Sequence, residues 1–300
     1  MSLLNHPCVS GCASGISGGD GLSACGSGHA TGVERLKSPF RQRRSPPSSG
    51  RVIRVENLNY SYPDGRQALR GISFAIPRGE TVGLIGPNGA GKSTLLLHLN
   101  GLLGQPHADG RITINGLEVQ PSSLPEIRRR VGLLFQDPDD QLFSTTVAED
   151  VAFGPRQLAL AEAEVTRRIE DSLAEVELGG FGSRVPHHLS LGEKKRVALA
   201  GVLACRPEVL LFDEPTANFD PRGRREFIAL CRRLPATKLI ASHDLEMILA
   251  LCGRVLVLDE GRLVADGGSI AILGDEPLML RHGLEKPHSL FHAHPHGLRA

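Results

Sequence analysis

Gly86-Pro87-Asn88-Gly89-Ala90-Gly91-Lys92-Ser93-Thr94 matches the phosphate-loop pattern G-x-x-x-x-G-K-[ST] at every fixed position. The five residues before it, Thr81 to Ile85 (TVGLI), are a short apolar run that reads as a buried strand, and Leu95 to Leu99 (LLLHL) after it reads as a helix. A glycine-rich loop in that context curls so that successive backbone N–H groups converge, and the helix behind it adds unpaired N–H groups and a positive dipole end. Polyphosphate is the occupant such a loop suits. Lys92 would reach the outer phosphates as a point charge, and the Ser93 hydroxyl would ligate a bridging magnesium ion.

A second acidic element lies 121 residues after Lys92. Val209-Leu210-Leu211-Phe212-Asp213-Glu214 is an apolar strand ending in two adjacent carboxylates. Beside a phosphate loop, Asp213 is expected to hold magnesium, and Glu214 to orient or deprotonate the water that attacks the γ-phosphate. Between and beyond these elements the pattern alternates. Arg224 to Leu234 and Leu245 to Cys252 read as helices, Lys238 to Ser242 and Val255 to Leu258 as strands, which predicts a parallel sheet covered by helices. In such sheets ligands bind beyond the carboxyl ends of the strands, where both the loop and the acidic pair fall.

Upstream, Val52 to Tyr60 and then Ile72, Phe74 and Ile76 alternate apolar and polar around Pro63-Asp64-Gly65, the pattern of antiparallel strands. Ile112 and Ile114 before Asn115-Gly116 add another strand and tight turn. Val131 to Phe135 is a further apolar run, and Val165, Ile169, Leu173 and Val176 recur at helical spacing, so the middle of the chain is expected to be mostly helical. Residues 1–50, with 19 Gly or Ser and a short basic run through Arg41, Arg43 and Arg44, are expected to be a disordered tail or a start upstream of the working one.

Charge and composition exclude several classes. The net charge of +1 offers no basic surface, so nucleic acid is not an expected partner. No stretch has the ~18 consecutive apolar residues of a membrane span, and no charged segment followed by a long apolar one opens the chain as a secretory leader would. A cytoplasmic setting is expected, in which the six scattered cysteines, with no C-x-x-C pair, are free thiols.

Further segments, in order, make residues 51 to 287 resemble the ATP-binding cassette (ABC) ATPases: Tyr62 upstream of the loop, Gln136 after a strand, Leu189-Ser190-Leu191-Gly192-Glu193, Glu214-Pro215-Thr216-Ala217-Asn218-Phe219-Asp220, and Ser242-His243-Asp244. The resemblance implies an α/β P-loop NTPase with a parallel core sheet, an antiparallel β subdomain and a helical subdomain at about 137–200 within an ATPase domain of 51–285. It implies ATP and magnesium as ligands. The phosphate-loop residues Gly86 to Thr94 hold the nucleotide, Tyr62 stacks on adenine with Tyr60 as its rival, and Ser93, Gln136 and Asp213 serve the metal. Glu214 assists hydrolysis, Gln136 senses magnesium and the attacking water, and His243 contacts the γ-phosphate. Ser190 and Gly192 begin a helix whose free N–H groups face the nucleotide of a second subunit, and Asp220 belongs with them, so two cassettes sandwich two ATP molecules. The chain departs from the usual L-S-G-G-Q at Leu191 and Glu193.

Two longer strings, Tyr60-Ser61-Tyr62-Pro63-Asp64-Gly65 and Phe135-Gln136-Asp137-Pro138-Asp139-Asp140-Gln141-Leu142-Phe143, look like the energy-coupling-factor importers, and Arg281-His282-Gly283-Leu284-Glu285 looks like their cobalt and nickel ATPases. That resemblance implies a peripheral protein at the cytoplasmic face of the membrane, working with a second ATPase subunit, a transmembrane coupling protein and a substrate-capturing membrane protein. A vitamin cargo fits the same motifs. A soluble repair or translation cassette would instead carry two cassettes or a coiled-coil insertion. From 286 to 300 the chain reads as a flexible tail, and His282, His288, His292, His294 and His296 either hold a divalent metal weakly or are solvated.

Overall fold

The computed structural model describes residues 50–103 and 108–291. The chain opens on a hairpin, β1 (Arg51–Ser61) and β2 (Gln67–Pro77), closed by the expected Pro63-Asp64-Gly65 turn, in which the Gly65 N–H donates to the Tyr62 carbonyl at 2.9 Å. It then enters β3 (Thr81–Ile85), passes the phosphate loop and forms α1 (Lys92–Asn100). Next come β4 (Ala108–Ile114) and β5 (Leu117–Glu118) around Asn115-Gly116, and the first four outer strands pair antiparallel in the order β2-β1-β4-β5. This is the small antiparallel layer the alternation predicts.

After α2 (Leu124–Arg130) and β6 (Val131–Leu134), three helices occupy the middle of the chain: α3 (Val147–Gln157), α4 (Glu162–Glu175) and α5 (Leu191–Ala204). The alternation then resumes with β7 (Val209–Asp213), α6 (Pro221–Arg233), β8 (Thr237–Ala241), α7 (Leu245–Leu251) and β9 (Arg254–Asp259). β10 (Arg262–Gly268), α8 (Ser269–Gly274) and α9 (Glu276–Arg281) follow. The large sheet has the order β10-β9-β3-β8-β7-β6, and every pairing among β9, β3, β8, β7 and β6 is parallel.

Burial on both faces explains why these strands read as continuous apolar runs. The pleat nevertheless divides them. Val209, Leu211, Leu239, Leu256 and Leu258 join the cluster under the antiparallel sheet and α1, whereas Leu210, Phe212, Ile240, Val255 and Val257 join the cluster under α3 to α7.

The core sheet is parallel as expected, and at one edge it gains a strand the sequence reading does not include, β10, which runs antiparallel to β9. Only Glu260 and Gly261 separate the two strands, both with positive φ (45° and 75°). That is the two-residue hairpin geometry, and it is far too short for the crossover a parallel pair needs. Helices α2, α8 and α9, of seven, six and six residues, are not foreseen in the sequence. No helix among the described residues is long and apolar enough to cross a membrane.

Candidate active site

The carboxyl ends of four parallel strands deliver the expected groups to one edge of the sheet. β3 delivers the phosphate loop, β6 Gln136, β7 Asp213 and Glu214, and β8 Ser242 and His243. All but Ser242, which is wholly buried, line a cleft of about 580 Å³ that also takes in Tyr62. Of the expected nucleotide-contacting residues, Gly86, Pro87, Asn88, Gly89, Gly91, Lys92, Ser93 and Thr94 face this cleft. Ala90 is buried beneath the loop.

Two glycines make the loop possible. A Cβ on Gly86 would lie 1.9 Å from the Leu258 carbonyl oxygen, and one on Gly91, at φ 104°, would lie 2.7 Å from the Ala68 carbonyl oxygen. Gly91 caps α1, whose first residue is Lys92. The Lys92 ammonium donates to the Gly86 and Pro87 carbonyls at 2.8 and 3.1 Å, so it lies across the loop's own mouth. Burial lowers its pKa, while Glu214 and Asp213 oppose that shift.

Asp213 suits a cation. Burial raises its carboxyl pKa, the neighbouring Glu214 adds to the rise, and the Ser93 hydroxyl and Lys92 pull against it. Its Oδ1 is buried with no protein hydrogen-bond partner. An orphaned carboxylate oxygen beside a hydroxyl and close to Gln136 is a set of hard oxygen donors of the kind magnesium takes.

Glu214 is held from three sides. Its carboxylate accepts from the Ser242 hydroxyl at 3.0 Å and from the His243 backbone N–H at 3.0 and 3.2 Å, and lies 2.8 Å from His243 Nδ1. Its backbone sits at φ 44°, a left-handed conformation uncommon outside glycine. His243 is therefore the neighbour of the expected base as well as a wall of the cleft.

The two tyrosines separate. Tyr60 is 5 % exposed and packs edge-on against His98, with ring centroids 4.4 Å apart. Tyr62 faces the cleft, with its hydroxyl 2.8 Å from Thr94 Oγ1. The Arg66 guanidinium lies 4.8 Å from the Tyr62 ring centroid, a partner that nothing in the sequence announces. The backbone just before Gln136 is held by Gln141, whose side chain accepts from the Phe135 N–H at 3.0 Å and donates to the Leu133 carbonyl at 3.1 Å.

Ser190, Gly192 and Asp220 do not line the cleft. Ser190 caps α5 in a reciprocal box with Glu193: the serine hydroxyl and N–H both reach Glu193 Oε2, at 2.7 and 2.8 Å, while the Glu193 N–H returns to Ser190 Oγ. Asp220 caps α6 through the Gly223 N–H. Arg224, missed in the sequence, grips Asp244, and Asp244 caps α7 just after His243. Gly283 and Leu284 add an unforeseen wall to the cleft.

The C-terminal histidines divide. His282 Nδ1 is 2.8 Å from Asp259 Oδ2, and no group of three metal-ligating residues occurs among the described residues. His292, His294 and His296 lie outside them, as do Cys8, Cys12 and Cys25. Cys205, Cys231 and Cys252 are free thiols, as expected. Beyond 285 the chain stays attached at least to Ser289, whose N–H and hydroxyl donate to Glu246 at 3.0 and 2.6 Å.

A family profile described as "ABC transporter" matches residues 69–217. The "Energy-coupling factor transporter ATP-binding protein EcfA" of Methanothermobacter thermautotrophicus is 51% identical over 241 residues, covering 79% of this chain and 77% of that protein. Among solved structures, cbiO1 from Clostridium perfringens, described as part of the ABC transporter complex cbiONQ, superposes with a TM-score of 0.68 at 38% identity, covering 77% of this chain and 94% of that one. The cassette MJ0796, in a dimeric post-hydrolysis state bound to ADP and Pi, gives 0.64 at 26% identity, covering 72% and 98%.

Proposed function

This chain belongs to the ABC transporter family as an ATP-binding, ATP-hydrolysing subunit of the energy-coupling-factor type, and from that premise we propose that it drives import of cobalt or nickel ions through separate membrane subunits. The observation that carries the ATPase part is the meeting of Lys92, Gln136, Asp213, Glu214 and His243 at one sheet edge. The cargo reading draws on the segment Arg281 to Glu285 and on the likeness to cbiO1 of the cbiONQ complex.

In this reading Tyr62 offers a ring to adenine and the loop N–H groups bind the phosphate chain. Lys92 exchanges its two carbonyl partners for phosphate oxygens. Ser93, Asp213 and Gln136 would hold magnesium, which, when bound, neutralises charge on the β- and γ-phosphates. Glu214 accepts a proton from the attacking water at its carboxylate, and Ser242 and His243 keep that carboxylate aimed. Ser190, Gly192 and Asp220, turned away from their own cleft, serve the nucleotide of a second copy, so each complete site takes residues from both.

Beside Gln136 the surface suits a membrane partner. Phe143 and Phe153, 64% and 49% exposed, meet edge to face at 5.1 Å, and Asp150 fixes the Phe143 and Ser144 N–H groups. An apolar helix end of the coupling protein would cover that pair, and in this reading the chain sits peripherally on the cytoplasmic face. Copurification with membrane subunits and uptake of labelled nickel and cobalt test the reading. No association, together with unchanged uptake on deletion, would sink it.

A further inference from the structure

Lys195 is among the largest wholly buried side chains of the described residues, 1% exposed. Its ammonium donates to three carbonyls of one turn, those of Glu214 at 3.1 Å, Pro215 at 3.0 Å and Ala217 at 3.2 Å. An ammonium has three N–H donors, and each finds an acceptor, which is the condition under which a buried charge is tolerated. Burial lowers its pKa to about 8, against the pull of Glu214 and Asp137, so at neutral pH the charged, three-donor form prevails.

The two elements joined in this way belong to different half-sites. Lys195 lies on α5, the helix that Ser190 caps and Gly192 opens. The turn it grips begins with Glu214 at φ 44° and continues to Asn218 at φ 63°, two non-glycine residues held in left-handed backbone. Such conformations persist only where the surroundings impose them, and three bonds from one ammonium, with the Phe219 ring 5.3 Å away, are such surroundings.

We propose that Lys195 is a positioning residue for ATP hydrolysis: it ties the helix that serves a second copy's nucleotide to the turn that carries Glu214, so that docking in one site sets the base in the other. The inference rests on the ATPase dimer proposed above. It makes Lys195 a mechanical link between the two sites of the sandwich, acting through Glu214 without touching substrate.

The test compares Lys195→Met, which keeps the length and loses every donor, with Lys195→Gln, which keeps two donors. The measurements are melting without nucleotide, binding of a fluorescent ATP analogue, kcat, and the Hill coefficient of hydrolysis. With fold and ATP affinity retained, a loss of register of about 1 Å at Glu214 is expected to lower kcat by up to ~100-fold in Lys195→Met. Lys195→Gln should recover part of that loss, and the Hill coefficient should fall toward non-cooperative behaviour as the sites uncouple. An unchanged kcat, a lowered kcat with wild-type cooperativity, or losses that track ATP binding or folding in both variants would overturn the proposal. A wild-type protein without ATPase activity would instead overturn the reading on which it rests.

Discussion

Replacing Glu214 by Gln separates the base from the scaffold that holds it. The carboxylate has three polar neighbours within 3.2 Å, the Ser242 hydroxyl, the His243 N–H and His243 Nδ1. A glutamine amide has the same shape. Its oxygen can accept from the His243 N–H while its NH2 donates to the Ser242 hydroxyl or to His243 Nδ1. The buried Ser242 hydroxyl, which donates to the carboxylate, is then left short of an acceptor, and folding stability should fall by about 1–3 kcal/mol. Proton acceptance is lost altogether. A positioned general base contributes about 10²–10⁴-fold, or about 2.7–5.4 kcal/mol of barrier at ~1.36 kcal/mol per decade. Glu214→Gln should therefore stay folded, bind ATP and release phosphate at least about 100-fold more slowly. If hydrolysis reopens the proposed pair, size exclusion with light scattering should show an ATP-dependent dimer in the variant. Hydrolysis at the wild-type rate would refute the assignment of Glu214.

Tyr62→Ala should weaken ATP binding by about 5- to 150-fold, the range of ~1–3 kcal/mol for stacking on a base. Tyr62→Phe, which keeps the ring and loses only the 2.8 Å bond to Thr94, should stay within about threefold; equal losses in a fluorescent-nucleotide titration would show that the ring does not stack. Gly86→Ala forces a methyl group to 1.9 Å from the Leu258 carbonyl, and backbone that cannot yield should cost about 3 kcal/mol. A thermal melt unchanged from wild type would contradict that geometry. Burial alone would raise the Asp244 carboxyl, but the Arg224 guanidinium and the Met247 N–H outweigh it and leave its pKa below the usual value of 3.8. A lowered folded pKa means stability that is full above 3.8 and lost as pH falls through the folded value. Arg224→Gln should therefore move acid unfolding, followed by circular dichroism, to higher pH, and a shift to lower pH would reverse the sign of the argument.

Much of the site is legible in the sequence because Gly86, Gln136, Asp213 with Glu214, and His243 each fall at the end of an apolar strand. A parallel sheet brings all those strand ends to one edge, so Gly86, Gln136, Asp213 and His243 converge through topology alone. The supporting contacts are not legible, since they join residues far apart in the chain. Lys195 meets the turn at Glu214 to Ala217, Arg224 meets Asp244, and Gly283 arrives at the phosphate loop from α9. The choice between Tyr60 and Tyr62 likewise needs the packing of His98, because period-two alternation puts both tyrosines on one face. The β9–β10 hairpin does carry a sequence signal, because Glu260-Gly261 is a two-residue break between apolar runs.

Ser190 has one proton to give, and in this fold it gives it to Glu193. When a partner's phosphate claims that hydroxyl, a hydrogen bond to a charged acceptor is surrendered, worth about 1.5–3 kcal/mol, and this happens once per copy. In the proposed dimer the cap would work as a return spring, extended when two chains clamp nucleotide between them and recoiling when hydrolysis removes the phosphate. A glutamine at 193, as a neutral acceptor, would make a slacker spring and a sandwich slower to let go.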